Sequence, residues 1–178
     1  MKPHPLVFVL GGARSGKSRY AENLAARSGR PVTYVATAGP PRDREMADRI
    51  AIHQARRPAH WRTVEEPLDL AAVVADPDRV ILVDCLTLWL TNVVLGDRDV
   101  ERDIDGLVAA LAGRMGPVVA VANEVGEGIV PATPLGRRFR DLQGVLNQRL
   151  AGAASDVVKL VAGCPLIVKP RSDPEPQL

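Results

Sequence analysis

Apolar residues along the chain fall into short continuous runs, and the stretches between them have helical periodicity. The runs are Leu6–Leu10 (LVFVL), Val32–Ala36 (VTYVA), Val80–Asp84 (VILVD), Val118–Ala122 (VVAVA) and Val157–Val161 (VVKLV). Such runs suit parallel strands covered on both faces. Weaker strand signals lie at Trp61–Val64 and Leu166–Val168. The intervening pattern predicts helices over Lys17–Ala26, Glu45–Arg57, Leu68–Ala75, Leu86–Leu95, Asp99–Met115 and Leu135–Ala153. Residues 39–44 and Asn123–Pro134 are rich in glycine and proline and read as loops. Strand and helix alternate from end to end, which implies an α/β layer fold with a mainly parallel sheet. Neither a repeat nor a linker interrupts residues 1–169, so they are expected to form one domain. Residues 170–178 (PRSDPEPQL) read as a frayed tail.

Composition narrows the function classes. The chain has 178 residues, 46% apolar and 25% charged, enough for a core and against wholesale disorder. No apolar run approaches the length of a membrane span, and Leu6–Leu10 is too short for a secretory leader. A net charge of +2 and 3% aromatics argue against a nucleic-acid-binding face. Cys85 and Cys164 have no partners at metal-ligand spacing. Both are expected to be small buried side chains of a cytoplasmic protein. Lysine is scarce: Lys2, Lys17, Lys159 and Lys169 are the only four among 23 basic residues. A lysine inside a glycine-rich loop is then unlike surface decoration.

That loop is Gly11-Gly12-Ala13-Arg14-Ser15-Gly16-Lys17-Ser18, which fits G-x-x-x-x-G-K-[ST] between a buried strand and a helix. Glycines let backbone N–H groups turn inward onto phosphate oxygens, and the helix N-terminus adds partial positive charge. Lys17 would reach the β- and γ-phosphates, and the Ser18 hydroxyl would ligate Mg²⁺. Asp84 ends the Val80–Asp84 run. A strand of this form beside the P-loop strand would bring its carboxylate to the metal; alternatively Asp84 caps the segment after it. His53 shares a helical stripe with Met46 and Ile50. It is either a packed histidine or a nucleophile, because the surrounding segment carries Arg42, Arg44, Arg49, Arg56, Arg57 and Arg62. Guanidinium groups neutralise phosphate charge and favour the neutral, nucleophilic form of an imidazole. Trp61 reads as core and Arg137–Arg140 as a solvated helix face. The loop starting at Asn123 (NEVGEG) is either part of a ligand site at the strand ends or a plain connection.

The stretches GGARSGKS (11–18), YVATA (34–38), EMADRIAIH (45–53), RPAHWRTVEEP (57–67), VDCLTLWLTN (83–92), NEVGEGIVP (123–131) and FRDLQGVLNQRLA (139–151) together resemble the cobinamide kinase/cobinamide-phosphate guanylyltransferase family of cobalamin biosynthesis. The resemblance implies a P-loop NTPase-like (RecA-like) three-layer fold and two reactions. ATP or GTP phosphorylates adenosylcobinamide, and GTP then gives GMP to adenosylcobinamide phosphate through a GMP–histidine intermediate. It assigns His53 as nucleophile and Lys17 as the catalytic lysine. It carries guanine-nucleotide contacts onto residues 11–18, onto Ala36, Thr37 and Ala38, onto Gln54, Ala55, Arg56 and Arg57, and onto Glu65 and Asp84. Ser18 and Asp84 are the implied Mg²⁺ residues, and a homotrimer is implied. Relatives often have Ser at Ala38, and some have Glu at Asp84. The segment carrying His53 is expected to move onto the P-loop when GTP binds, and the corrinoid is expected near the 123–134 loop and Arg137–Arg140. A P-loop kinase without transferase activity and a nucleotide-switched binding module remain the alternatives.

Overall fold

The computed structural model describes residues 5–41, 43–74 and 76–170. Seven strands form one sheet: β1 (Leu6–Gly11), β2 (Val32–Ala36), β3 (Arg62–Glu65), β4 (Val80–Asp84), β5 (Val118–Asn123), β6 (Asp156–Val161) and β7 (Cys164–Lys169). Their order across the sheet is β3-β2-β4-β5-β1-β6-β7, with every pairing parallel except β6–β7. Six helices appear among the described residues: α1 (Lys17–Arg27), α2 (Arg44–Arg56), α3 (Leu70–Val73), α4 (Leu86–Leu95), α5 (Val100–Ala112) and α6 (Pro134–Ala153). Thr133, ahead of Pro134, and Asp99 cap their helices by accepting from Gly136 N and Arg102 N.

Strand residues alternate between two cores. Phe8, Val35, Ile81, Val83, Ala120 and Val157 pack on one face with Leu90, Ile104 and Leu146 of α4, α5 and α6. Val9, Tyr34, Leu82, Val121 and Leu160 pack on the other with Ala21 and Ala25 of α1 and with Trp61. The result is a helix–sheet–helix sandwich, in which the continuous apolar runs follow from burial of both sheet faces.

One expectation about strand order is corrected. β4 is not beside the P-loop strand, because β5 lies between them: Ile81 pairs with Val118, which pairs with Leu6. Cys164 is also corrected. It lies exposed on β7, an edge strand whose alternating sides both face away from the core, whereas Cys85 is partly buried. Burial pushes the Cys85 thiol up to about 11, so it is inert at neutral pH. Trp61 is core, as expected. The expected tail lies outside the described residues from position 171 onward.

Arg114 ties the α3–β4 connection to the end of α5. Its guanidinium donates to the carbonyls of Val74 at 2.6 Å, Arg79 at 2.7 Å and Pro117 at 2.9 Å, and also to that of Asp76. Arg114→Ala would strand several carbonyls at once and is expected to cost about 2–4 kcal/mol. Urea unfolding should show a lower midpoint at an unchanged slope.

Candidate functional site

The site forms where β1, β2 and β4 end. β1 closes on Gly11, where a Cβ would sit 2.4 Å from Ser15 Oγ and 2.9 Å from the Leu160 carbonyl. Only glycine fits there. Gly16 holds φ +92°, a left-handed conformation that turns the chain into α1. The turn after β6 braces the loop, with Gly163 N donating to Ser15 O at 3.0 Å. Lys17 Nζ donates back to Gly12 O at 3.1 Å. Burial lowers the Lys17 pKa, while the neighbouring Cys85 and Asp84 oppose that shift. The Ser15 hydroxyl is buried without a hydrogen-bond partner among the described residues, as suits a cradle built for an acceptor such as phosphate.

Asp84 reaches this loop across the intervening strand. Its Oδ1 accepts from Ser18 Oγ at 3.2 Å and its Oδ2 from the Tyr34 hydroxyl at 2.8 Å. His53 Nδ1 lies 3.6 Å from the same Oδ2. Burial works against ionisation of Asp84. The hydrogen bonds from His53, Tyr34 and Ser18 outweigh it and hold the carboxyl below its usual range. Asp84 therefore sits ionised at the centre of the site. It does not cap α4, whose N-cap is Cys85 without a side-chain cap bond. Burial, reinforced by Asp84, keeps the Tyr34 phenol protonated.

α2 is capped by Asp43, which accepts from Met46 N at 2.8 Å, and its last turn is fastened over α1. Arg56 Nη2 donates to Glu22 Oε1 at 3.0 Å. The Arg57 guanidinium lies 3.9 Å above the Tyr34 ring. His53 thus already stands against Asp84 in this structure, so the expected approach of the 39–60 segment is not needed to bring the two together. Gln54 and Ala55 are exposed on the same turn. Arg42 and the side chain of Arg49 lie outside the described residues.

Ala36 ends β2 in register with Glu65 of β3 and with Asp84, so these three expected residues share one sheet edge. Thr37, expected to contact nucleotide, has its hydroxyl engaged within the fold. It is fully buried, and its hydroxyl donates to Cys85 O at 2.6 Å and accepts from Cys85 N at 3.0 Å. Asn92 Nδ2 donates to Thr37 O at 2.9 Å and to Pro67 O at 3.1 Å, fixing the loop that carries Ala38. At the end of β5, Asn123 N donates to Thr87 Oγ1 at 2.8 Å and Glu124 N to Gly11 O at 3.1 Å. The NEVGEG loop therefore starts against the P-loop. Farther along it Ile129 is 97% exposed. Arg137 and Arg138 are exposed and Arg140 is partly so, in keeping with a solvated helix face.

Tyr34, Glu22 and Asn92 are site residues that the motif reading did not select. Glu22 carried a signal, an acid on the Ala21–Ala25 stripe of α1; Tyr34 carried none, because an aromatic in a β-run reads as core. For a cation, Ser18 Oγ and Asp84 Oδ1 converge as a hard oxygen pair. Glu22, His53 and Asp84 form a second, mixed set with ligand atoms within 4.8 Å of one another. No helix among the described residues is long and apolar enough to cross a membrane.

Comparison with known proteins agrees with this geometry. Residues 7–168 match the family model for cobinamide kinase / cobinamide phosphate guanyltransferase. A bifunctional adenosylcobalamin biosynthesis protein CobP of Pseudomonas aeruginosa is 51% identical, with 91% of this chain and 96% of the relative covered. CobU of Escherichia coli, described in the same terms, is 41% identical, covering 92% of this chain and 99% of the relative. Among solved structures, flagellar accessory protein FlaH of Methanocaldococcus jannaschii superposes with a TM-score of 0.52 at 15% identity, covering 94% of this chain and 79% of that one. An ATPase of a bacterial type III secretion system gives a TM-score of 0.52 at 12% identity, over 88% of this chain and 51% of that one. The fold is that of P-loop NTPases. The chain belongs to the cobinamide kinase / cobinamide phosphate guanyltransferase family.

Proposed function

We propose that this protein is a bifunctional enzyme of cobalamin biosynthesis. It phosphorylates adenosylcobinamide with ATP or GTP, then transfers GMP from GTP to adenosylcobinamide phosphate. The observation that carries the reading is His53 held against Asp84, whose other oxygen contacts the P-loop Ser18. A kinase needs the P-loop; an imidazole fastened into the same site is what guanylyl transfer adds.

In the first reaction the P-loop amides and Lys17 hold the triphosphate in line with the corrinoid hydroxyl. Ser18 and Asp84 would hold Mg²⁺, whose charge offsets that of the phosphates. In the second reaction a ring nitrogen of His53 bonds to the α-phosphorus, and the bond to the bridging oxygen breaks with pyrophosphate leaving. A phosphate oxygen of adenosylcobinamide phosphate then displaces His53, giving adenosylcobinamide-GDP. Splitting one transfer into two displacements is the advantage of the covalent intermediate. Nucleotide contacts fall to residues 11–18, to the backbone of Ala36–Ala38, to Gln54–Arg57, to Glu65 and to Asp84. The half-apolar, exposed 123–134 loop beside Arg137–Arg140 suits docking of the corrinoid. The exposed apolar side chains Leu166, Ile167 and Val168 of β7 suit assembly into the homotrimer that the family resemblance implies. We place the enzyme in the cytoplasm, with residues 1–169 as one catalytic domain.

GTP labelled at the α-phosphate tests the reading. Acid-labile, alkali-stable label should appear on the protein, and adenosylcobinamide phosphate should discharge it into product. A protein that turns over cobinamide and never takes label is a kinase alone; one that binds nucleotide without turnover is a switch.

A further inference from the structure

β5 lies between β1, which leads into the P-loop, and β4, which ends in Asp84. Its last residue, Asn123, is in register with Gly11 of β1, and Val121, two residues earlier, is in register with Asp84 of β4. Val121 and Leu82 pack into the core on the α1 side of the sheet, and Ala122 and Val83 into the core on the other side. Side chains alternate along a strand, so Asn123 and Asp84 both face the α1 side, where the P-loop turns into its helix. The Asn123 side chain therefore stands at the mouth of the P-loop, on the strand between Gly11 and Asp84.

Its backbone is held by side chains from two helices. Thr87 Oγ1 of α4 accepts from Asn123 N at 2.8 Å, and Asn147 Nδ2 of α6 donates to Asn123 O at 3.2 Å. Asn147 is itself fixed by buried Gln143, whose Nε2 donates to Asn147 Oδ1 at 2.8 Å. The next residue is fastened to the P-loop strand, with Glu124 N donating to Gly11 O at 3.1 Å. Neighbouring acids are committed within the fold: Glu124 Oε1 accepts from Gly126 N at 2.6 Å, and Glu127 pairs with Lys159. The partly exposed side-chain amide of Asn123 makes no hydrogen bond among the described residues. A polar group fixed in place and left unpaired is preorganised for a ligand. Beside Lys17, Ser18 and Asp84, the chemistry it meets is a phosphoryl group, to which the NH₂ of an amide donates.

We propose that Asn123 is a catalytic residue of the phosphorylation step: its Nδ2 donates to an oxygen of the terminal phosphoryl group and stabilises that group in transfer. This rests on the kinase half of the proposed function. The corrinoid hydroxyl oxygen bonds to the γ-phosphorus as the bond from that phosphorus to the β–γ bridging oxygen breaks. The electron pair leaves with the nucleoside diphosphate, and the hydroxyl proton passes to the transferred phosphoryl group. Negative charge spreads over the equatorial oxygens in the transition state, where a fixed donor acts most strongly. Guanylyl transfer reacts at the α-phosphorus instead, away from the group that Asn123 contacts.

The test compares Asn123→Ala and Asn123→Asp with the unsubstituted full-length protein. The contacts that hold residue 123 are to its backbone, so both variants keep them. Asn123→Ala should lower kcat for adenosylcobinamide phosphorylation by about 10²-fold, with KM for adenosylcobinamide changed by less than about threefold. Asn123→Asp should lower kcat further, because a carboxylate repels the phosphate. Labelling of the protein by α-labelled GTP should stay within about threefold in both variants. A second readout needs neither turnover nor a variant. In ¹⁵N-labelled unsubstituted protein, the Asn123 side-chain amide signal, assigned through its own backbone, should shift with the β–γ imido analogue of ATP and not with ADP. The proposal is overturned by an unchanged kcat, by a loss confined to KM, by parallel loss of phosphorylation and labelling, or by an amide signal blind to the terminal phosphate. If the unsubstituted protein phosphorylates no adenosylcobinamide, the kinase reading itself fails, and the amide signal still decides whether Asn123 touches the terminal phosphate.

Discussion

His53→Ala is expected to abolish labelling of the protein by α-labelled GTP and to reduce GMP transfer to adenosylcobinamide phosphate by at least about 10³-fold. Phosphorylation of adenosylcobinamide should persist within a few-fold. The reasoning is geometric. The P-loop, Lys17 and Ser18 do not depend on His53 for their placement: Gly163 N and the Gly12 carbonyl hold them from the β1 and β6 side. His53 enters from α2 on the opposite side, where it meets Asp84 and Arg56. Truncating it removes a nucleophile and one of three polar neighbours of Asp84, with Tyr34 and Ser18 still hydrogen-bonded to that carboxylate. The two rates are measured side by side, with ATP as phosphoryl donor in one assay and GTP with presynthesised adenosylcobinamide phosphate in the other. Parallel loss of both activities would mean that His53 supports the site structurally, and the transferase reading would fail.

The contrast between His53 and the P-loop also explains what could be read from the residues alone. Residues 6–18 are a local device: strand, turn and helix are contiguous, and their chemistry lies in the order of residues. The same is true of the alternation of strands and helices, and most element bounds agree with the sequence pattern to within a few residues. Strand order is not local. Nothing in Val118–Asn123 says that it inserts between β1 and β4, so the expectation that Asp84 lies on the neighbouring strand was wrong about the route, although the carboxylate does meet Ser18. Tyr34 and Glu22 were hidden for a related reason. Each looks like part of a packing stripe, and each acquires a role only when a third element supplies its partner: β4 brings Asp84 to Tyr34, and α2 brings Arg56 to Glu22. Cys164 departs from the sequence pattern because β7 reads as an ordinary apolar strand, whereas it pairs antiparallel at the sheet edge with little packed over it. The Thr37 hydroxyl is committed to the Cys85 backbone, so its backbone is what it has to offer a nucleotide.

Asp84→Asn should impair both reactions, each by about 10²-fold, whereas Asp84→Glu should leave both within about tenfold of the unsubstituted enzyme. The carboxylate receives three donors on two oxygens: Ser18 on Oδ1, Tyr34 on Oδ2, and His53 beside Oδ2. An amide offers one acceptor oxygen, and its NH₂ group must face at least one of those donors. If nitrogen faces Ser18, the hard oxygen pair proposed for Mg²⁺ is lost and phosphoryl transfer suffers. If nitrogen faces Tyr34 and His53, the imidazole loses the acceptor that orients it and offsets its charge during guanylyl transfer. Either orientation also removes a buried negative charge that Lys17 and Tyr34 both sense. Glutamate keeps both oxygens and the charge, so only reach changes, by one methylene. The measurement is kcat for each half-reaction with all three side chains at this position. Loss of only the guanylyl transfer in Asp84→Asn would assign Asp84 to His53 alone and leave the metal to Ser18. Loss of only the phosphorylation would detach Asp84 from His53 and undo the shared-site argument. Equal loss in both, with recovery by glutamate, is what one carboxylate serving two phosphorus chemistries requires.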